Sequence, residues 1–132
     1  MRIRVYHGTR DADAILRDGF RPSSGGDFGP GIYLTENPDT AAFYALRVAR
    51  GSDQPVVLST TVELLRPYEV RKVDWIRMTE RRTPRTVQRG LRRRGYDGIL
   101  GIAINDYERQ IVAFEADQIV GPTRVREILR RR

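Results

Sequence analysis

The sequence contains no cysteine and a single histidine, His7. Without cysteine the chain can form neither a disulfide framework nor a thiolate metal site. One histidine on its own supplies too few nitrogen ligands for zinc. We therefore expect no metal site in this protein.

Long apolar runs are also missing. No stretch approaches the roughly 18 consecutive apolar residues that indicate a membrane span. The first residues, Met1 to Val5, lack the apolar block of a secretory signal and instead alternate like a strand. These absences favour a cytoplasmic protein without membrane association. The 132 residues are 39% hydrophobic and contain no repeat or linker, which predicts a single domain over 1–132 with a core of its own.

Acidic residues are outnumbered, with 17 Asp and Glu against 24 Lys and Arg, for a net charge of +7. Almost all of the positive residues are arginine, and they concentrate in the segments Arg81–Arg94 and Arg130–Arg132. Such segments can neutralise phosphates and attract a nucleic acid. A solvated helix face is the alternative interpretation, because charge alone carries no specificity.

Local patterns predict a mixture of strands and helices that do not alternate regularly, and this favours an α+β fold. Alternation and β-branched runs predict strands over 2–6, 31–35, 56–65, 98–104 and 110–114. Capping signals predict helices from Asp11 or Asp13 to Arg17, from Asn37-Pro38 to Gly51, from Thr83-Pro84 to Gly95, and over Thr123–Arg132.

The first candidate site segment is a strand that ends in His7-Gly8. The imidazole can form a hydrogen bond beside a glycine whose main chain a ligand can approach closely. The alternative is a surface histidine at a turn.

The second segment places glycines before an aromatic strand. Gly31 precedes Tyr33, and the following helix carries Tyr44. Two tyrosines can stack on a flat ligand ring, and the glycine lets the main chain pass close to it. Two ordinary half-buried core aromatics are the alternative.

The third segment puts polar residues at the head of an apolar strand. Glu108 and Gln110 are two residues apart, so they project from the same face of a strand, where a cleft could receive them. Solvated side chains at an edge strand are the alternative.

Five short motifs occur in order along nearly the whole chain: Tyr6-His7-Gly8-Thr9, Gly31-Ile32-Tyr33-Leu34-Thr35, Ala41-Ala42-Phe43-Tyr44-Ala45, Tyr96-Asp97-Gly98-Ile99 and Phe114-Glu115-Ala116-Asp117-Gln118-Ile119. In this order and spacing the sequence resembles the ADP-ribosyltransferase superfamily. The resemblance is to the His-Tyr-Glu branch with diphtheria toxin and the poly(ADP-ribose) polymerases, and most of all to the small ADP-ribosyltransferase domains of phage polyvalent proteins.

The resemblance implies a compact, split β-sandwich of two small antiparallel sheets with flanking helices and a nicotinamide cleft between them. It also implies NAD+ as the substrate, bound by His7, Gly8, Thr9, Gly31, Tyr33 and Tyr44. In this family the histidine hydrogen-bonds the adenosine ribose and a tyrosine stacks on the nicotinamide ring, a flat cation that tyrosine faces favour.

The glutamate of the family pattern falls on Gln110 in this chain. Glutamine can accept a hydrogen bond but supplies no negative charge, so Glu108, on the same strand face, is the other candidate. We expect catalysis to involve Gln110 or Glu108 together with His7 and Tyr33. The loss of one charge-stabilising group slows such reactions by roughly a hundredfold to a thousandfold.

The expected function is mono-ADP-ribosyl transfer from NAD+ to a macromolecular acceptor, with release of nicotinamide. Two alternatives stay open: a non-catalytic or weakly hydrolytic module that binds NAD+ or ADP-ribose, and a basic nucleic-acid-binding protein. The acceptor would be a protein or a nucleic acid, the latter bound through Arg81–Arg94 and Arg130–Arg132. An antitoxin or inhibitor partner is compatible with the resemblance.

Overall fold

The structure, a computed structural model, describes residues 1–103 and 108–128. In chain order these residues form β1 (Arg2–Thr9), α1 (Ala12–Asp18), β2 (Ile32–Thr35), α2 (Pro38–Val48), β3 (Val56–Glu63), β4 (Pro67–Arg71), α3 (Lys72–Met78), α4 (Pro84–Arg93), β5 (Gly98–Ile102), β6 (Arg109–Ala113), a 3-10 turn (Ala116–Gln118) and β7 (Arg124–Ile128). Among these residues, no helix has both the length and the apolar character needed to cross a membrane.

The described strands form one hydrogen-bonded sheet in the order β4-β5-β6-β2-β1-β3-β7. The predicted α+β class is confirmed, but two separate antiparallel sheets are not what these residues form. The sheet is continuous because β1 and β2 share one pair, Tyr6 with Thr35. It is also not wholly antiparallel, since β4 and β5 run parallel. The chain crosses from β4 to β5 through α3 and α4, as a parallel pair requires.

The junction between β1 and β2 is the weakest line in this sheet. β1 pairs with β3 from Arg2 to Thr9, whereas its ladder with β2 stops at the single pair of Tyr6 and Thr35. The halves on either side of the junction nevertheless share one hydrophobic cluster. It contains Val5 and Leu58 from one half and Leu34, Leu100 and Ile111 from the other. The sheet is thus continuous but narrowly paired between β1 and β2, and one core packs across that junction.

Helices cover the outer faces of both halves. Trp75 of α3 and Leu91 of α4 pack with Ile99, Val112 and Phe114 of the β5–β6 half. On the other half, α2 contacts the main chain of β1 directly at Gly8. A Cβ atom placed on Gly8 would lie 1.9 Å from the carbonyl oxygen of Ala41 in α2. Only glycine permits this approach.

The two predicted cap-plus-proline helix starts are confirmed. Asn37 Oδ1 accepts a hydrogen bond from the Asp39 main-chain N–H at 2.9 Å, and Pro38 opens α2. Thr83 Oγ1 accepts from the Thr86 N–H at 3.2 Å in the same way before α4. Asp11 occupies the N-cap position of α1, but its side chain makes no capping hydrogen bond.

The C-terminal prediction is wrong. Thr123–Arg132 does not begin a helix; instead β7 pairs antiparallel with β3 over Arg124–Ile128. This pairing satisfies main-chain groups that β3 would otherwise leave on an open edge, which outweighs a short apolar periodicity. The remainder of that predicted helix, 129–132, lies outside the described residues, as does Ile104 at the end of the predicted 98–104 strand; β5 ends at Ile102.

Candidate functional site

A cavity of about 1160 Å³ opens where β1 and β2 part. Its walls come from the ends of β1, β2, β5 and β6, from α1 and α2, and from the loop between α1 and β2. Of the residues expected from the sequence, it brings together His7, Gly8, Gly31, Tyr33, Tyr44, Glu108 and Gln110. These residues come from distant parts of the chain, and all of them line the same cavity.

His7 bridges the gap between the two strands. Its Nδ1 atom lies 2.8 Å from the carbonyl oxygen of Tyr33. If the antiparallel ladder continued past Tyr6 and Thr35, it would place Gly8 opposite Tyr33. The ladder stops before that pair, and the hydrogen bond to the Tyr33 carbonyl comes from the His7 side chain instead. A carbonyl oxygen only accepts, so Nδ1 carries the proton, and in neutral His7 the Nε2 atom is an acceptor.

Burial lowers the pKa of His7 below its usual 6.5 and outweighs the hydrogen bond to Tyr33, which raises that pKa. The ring also packs edge-on against Phe20, with 5.3 Å between the ring centres. The imidazole is therefore neutral at pH 7, and Nε2 has no hydrogen-bond partner within the described part of the chain.

The lowered pKa of His7 predicts a pH-dependent stability. Below about pH 6.5 the unfolded chain binds a proton that the folded chain resists, so the free energy of unfolding falls as the pH drops from 6.5 toward the lowered folded pKa, then levels off. Urea unfolding midpoints measured between pH 7.5 and pH 5 should show this decline. The decline should be smaller in His7→Asn, because His7 is the sole histidine. Equal slopes for the two proteins would contradict the prediction.

The Tyr33 hydroxyl is held by the loop that precedes β2. It accepts a hydrogen bond from the Phe28 N–H at 2.9 Å and donates one to the Gly29 carbonyl. Burial, aided by the nearby Asp27 carboxylate, raises the pKa of Tyr33 to about 12, against the opposing effect of the Phe28 hydrogen bond. The hydroxyl therefore stays protonated and keeps donating across the ordinary pH range.

Two further side chains fix the same loop, and sequence reasoning missed both. Gln88 Nε2 donates to the carbonyls of Phe28 at 2.8 Å and Pro30 at 2.7 Å, and it is 3% exposed. Trp75 Nε1 donates to the Asp27 carbonyl at 2.8 Å. A polar residue on the apolar side of α4, one turn after Pro84, was the available signal for Gln88.

Glu108 faces the cavity and is tied to the start of α2. Its Oε1 atom accepts from Asn37 Nδ2 at 2.9 Å and from Thr40 Oγ1 at 2.8 Å, and its Oε2 lies 2.9 Å from the same hydroxyl. The N-terminus of α2 also favours a negative charge at this position. These contacts leave part of the acceptor capacity of the carboxylate for a ligand.

Gln110 sits between strands on the cavity wall. In β6 it lies opposite Thr35 of β2 on one side and Gly101 of β5 on the other. Thr35 in turn pairs with Tyr6 of β1, so residues of four strands, β5, β6, β2 and β1, lie in one row here. Gln110 and Glu108 therefore border the same cavity, as their spacing predicts.

The remaining predicted residues have distinct surroundings. Tyr44 on α2 is 53% exposed at the cavity. Gly31, just before β2, leaves no room for a side chain, since a Cβ there would lie 2.5 Å from Val112 Cγ1 and 3.0 Å from the Ala113 carbonyl oxygen. Thr9 does not line the cavity; it is buried, and its hydroxyl accepts from the Asp11 N–H at 2.9 Å.

Within residues 1–103 and 108–128, no group of three or more His, Cys, Asp or Glu side chains is arranged to hold a metal ion.

The first arginine segment, Arg81–Arg94, contains α4 and the residues just before and after it, and all of its arginines are exposed. Arg130–Arg132 lies outside the described residues, as does Tyr107, next to Glu108.

In comparisons with known proteins, no family model matches the sequence and no curated protein matches it.

Proposed function

We propose that this protein binds NAD+ in the cavity between β1 and β2 and transfers its ADP-ribose to a macromolecular acceptor, releasing nicotinamide. One observation carries the proposal: the imidazole of His7, the rings of Tyr33 and Tyr44 and the carboxylate of Glu108, from four separate stretches of the chain, line a single cavity. Its volume, about 1160 Å³, is somewhat above the roughly 300–1,000 Å³ of ordinary small-molecule sites and leaves room for a dinucleotide.

The proposed binding mode follows from the state of each side chain. Tyr33 and Tyr44 offer aromatic faces to the cationic nicotinamide ring. The acceptor Nε2 of neutral His7 receives a hydrogen bond from a ribose hydroxyl. At Gly8 the main chain is not paired with β2, because that ladder stops at Tyr6, so its peptide groups on this edge can meet the nicotinamide amide.

The reaction breaks the bond between the nicotinamide nitrogen and the ribose carbon. The bonding electrons leave with neutral nicotinamide, and positive charge develops on the ribose, as in glycoside hydrolysis. We assign its stabilisation to the Glu108 carboxylate, which Asn37 and Thr40 hold in place. A nucleophilic oxygen or nitrogen of the acceptor then bonds to the ribose carbon and loses its proton. Gln110, beside Glu108, supplies hydrogen bonds to the sugar but no charge.

The proposal is tested with purified protein and NAD+ labelled in its adenosine half, in the presence of cell lysate. We expect free nicotinamide and label on a macromolecule, and we expect NAD+ to raise the thermal unfolding temperature, because a ligand that binds only the folded state stabilises it. NAD+ labelled in nicotinamide is the control and should leave no label on any macromolecule. Absence of both nicotinamide release and stabilisation would overturn the proposal; release without transfer would make water the acceptor.

A further inference from the structure

The arginines of α4 lie on one side of the helix. Arg85, Arg89, Arg92 and Arg93 follow the spacing i, i+4, i+7, i+8, which confines them to an arc of about 100° on a helix with 3.6 residues per turn. Gln88 and Leu91 face the core instead. We call these four side chains the arginine stripe. It extends for about 12 Å along the helix axis.

The segment that carries this stripe contains no acidic residue of its own. From Arg81 to Tyr96 the sequence has seven arginines and neither Asp nor Glu. Arg92 is engaged, since its guanidinium donates to Glu115 at 2.6 Å and to the Phe114 carbonyl at 3.1 Å. Arg89 and Arg93 are exposed and form no ion pair or hydrogen bond with any described residue. Their charges face solvent uncompensated.

The stripe begins at the rim of the cavity. Arg85, at its N-terminal end, donates to the carbonyl of Ser24, in the loop whose neighbouring residues Ser23 and Gly25 line the cavity. From there the stripe continues along α4 to Arg92, whose partners Phe114 and Glu115 do not line the cavity. A linear polyanion bound along it would therefore have one end at the cavity mouth.

We infer that the arginine stripe binds the phosphate backbone of a nucleic acid strand and so makes nucleic acid the acceptor; the acceptor role rests on the proposed function, whereas the binding does not. Guanidinium groups pair with phosphate in a bidentate manner. With one phosphate per about 3.4 Å of stacked strand, a 12 Å stripe faces about three phosphates. The charges of Arg89 and Arg93, unpaired among the described residues and flanked by Arg85 and Arg92 at a regular helical spacing, match a regularly charged strand.

Binding is measured with fluorescein-labelled 20-nucleotide single strands of DNA and of RNA, by anisotropy across a salt series. For the double variant Arg89→Gln/Arg93→Gln we expect about tenfold weaker binding and a salt slope smaller by about 1.4, because each neutralised phosphate contributes about 0.7 for single strands. The control is Arg4→Gln/Arg126→Gln, the same charge change at exposed positions of β1 and β7. Its affinity for the labelled strand should be within about twofold of that of the parent chain.

Three results would overturn the inference: no binding of either strand, equal weakening by both double variants, or displacement of the strand by polyglutamate at equal charge concentration. Transfer is followed with adenosine-labelled NAD+. With the stripe variant Arg89→Gln/Arg93→Gln, we expect less label on the oligonucleotide than with the parent chain, whereas nicotinamide should still be released. If the parent chain releases no nicotinamide, the proposed function fails, and the binding series still decides the role of the stripe.

Discussion

Replacing Glu108 with glutamine is expected to slow nicotinamide release by about a hundredfold to a thousandfold while the affinity for NAD+ changes little. The substitution keeps the size of the side chain and an oxygen for Asn37 and Thr40 to donate to, but it removes the negative charge. A charge that stabilises only the transition state contributes on this scale, and its loss lowers the rate without a matching loss of binding. Release is measured by chromatography of free nicotinamide, and affinity by calorimetry.

Asp18→Asn is the matched control for Glu108→Gln. Asp18 is another cavity-lining carboxylate, but it lies on α1, where Arg17 pairs with it at 3.1 Å. Loss of the Asp18 charge should change the rate of nicotinamide release by no more than a few-fold relative to the parent chain. The reverse substitution nearby, Gln110→Glu, separates the two candidates. If it raises release by an order of magnitude or more while Glu108→Gln has no effect, the reacting charge belongs at Gln110 and our assignment is wrong.

Gly8→Ala is expected to destabilise the fold and to disturb the site at the same time. The added methyl would lie 1.9 Å from the Ala41 carbonyl oxygen and 2.9 Å from the Ala45 nitrogen, both rigid main-chain atoms of α2. Forcing atoms into such a packed contact costs about 1–3 kcal/mol, or about 4–12 °C of unfolding temperature in a domain of this size. Moving α2 also moves Thr40 and Tyr44, which line the cavity. Thermal unfolding and NAD+ calorimetry on one sample measure both effects.

Gly90→Ala provides the opposite expectation. Gly90 lies within α4, and beyond its chain neighbours and the adjacent backbone of the helix nothing lies within 4 Å of a Cβ placed there. Alanine is favoured over glycine inside a helix by about 1 kcal/mol, so this variant should be more stable than the parent chain. Two glycine-to-alanine changes with effects of opposite sign would tie the loss at Gly8 to its contact with α2. Equal unfolding temperatures for Gly8→Ala and the parent chain would contradict that contact.

The sequence predicted those elements whose signals are local. Asn37-Pro38 and Thr83-Pro84 fix two helix starts because the capping hydrogen bonds join residues two or three positions apart. The strand β4 and helix α3 were not predicted. β4 gains its partners by lying parallel to β5, some 30 residues further on, and no local pattern specifies that pairing. The same holds for β7, whose conformation depends on the free edge of β3.

The candidate site was predictable in its membership but not in its internal contacts. Spacing alone put Glu108 and Gln110 on one face, and both line the cavity. The bonds that hold Glu108, to Asn37 and Thr40, join residues far apart in the chain and depend on how α2 meets β6. Thr9 was included because it belongs to the motif Tyr6-His7-Gly8-Thr9 that carries the resemblance, yet it does not line the cavity and its hydroxyl accepts a hydrogen bond in the turn into α1.

The Tyr33 hydroxyl has a consequence for the thermodynamics of ligand capture. The hydroxyl both accepts and donates a hydrogen bond within the loop, so these contacts of the fold itself restrict rotation of the ring. Ordering one mobile side chain on binding costs about 0.5–1.5 kcal/mol. At Tyr33 this entropy loss has already occurred on folding. A ligand ring that stacks on Tyr33 would therefore lose less of its binding free energy to ordering of the side chain.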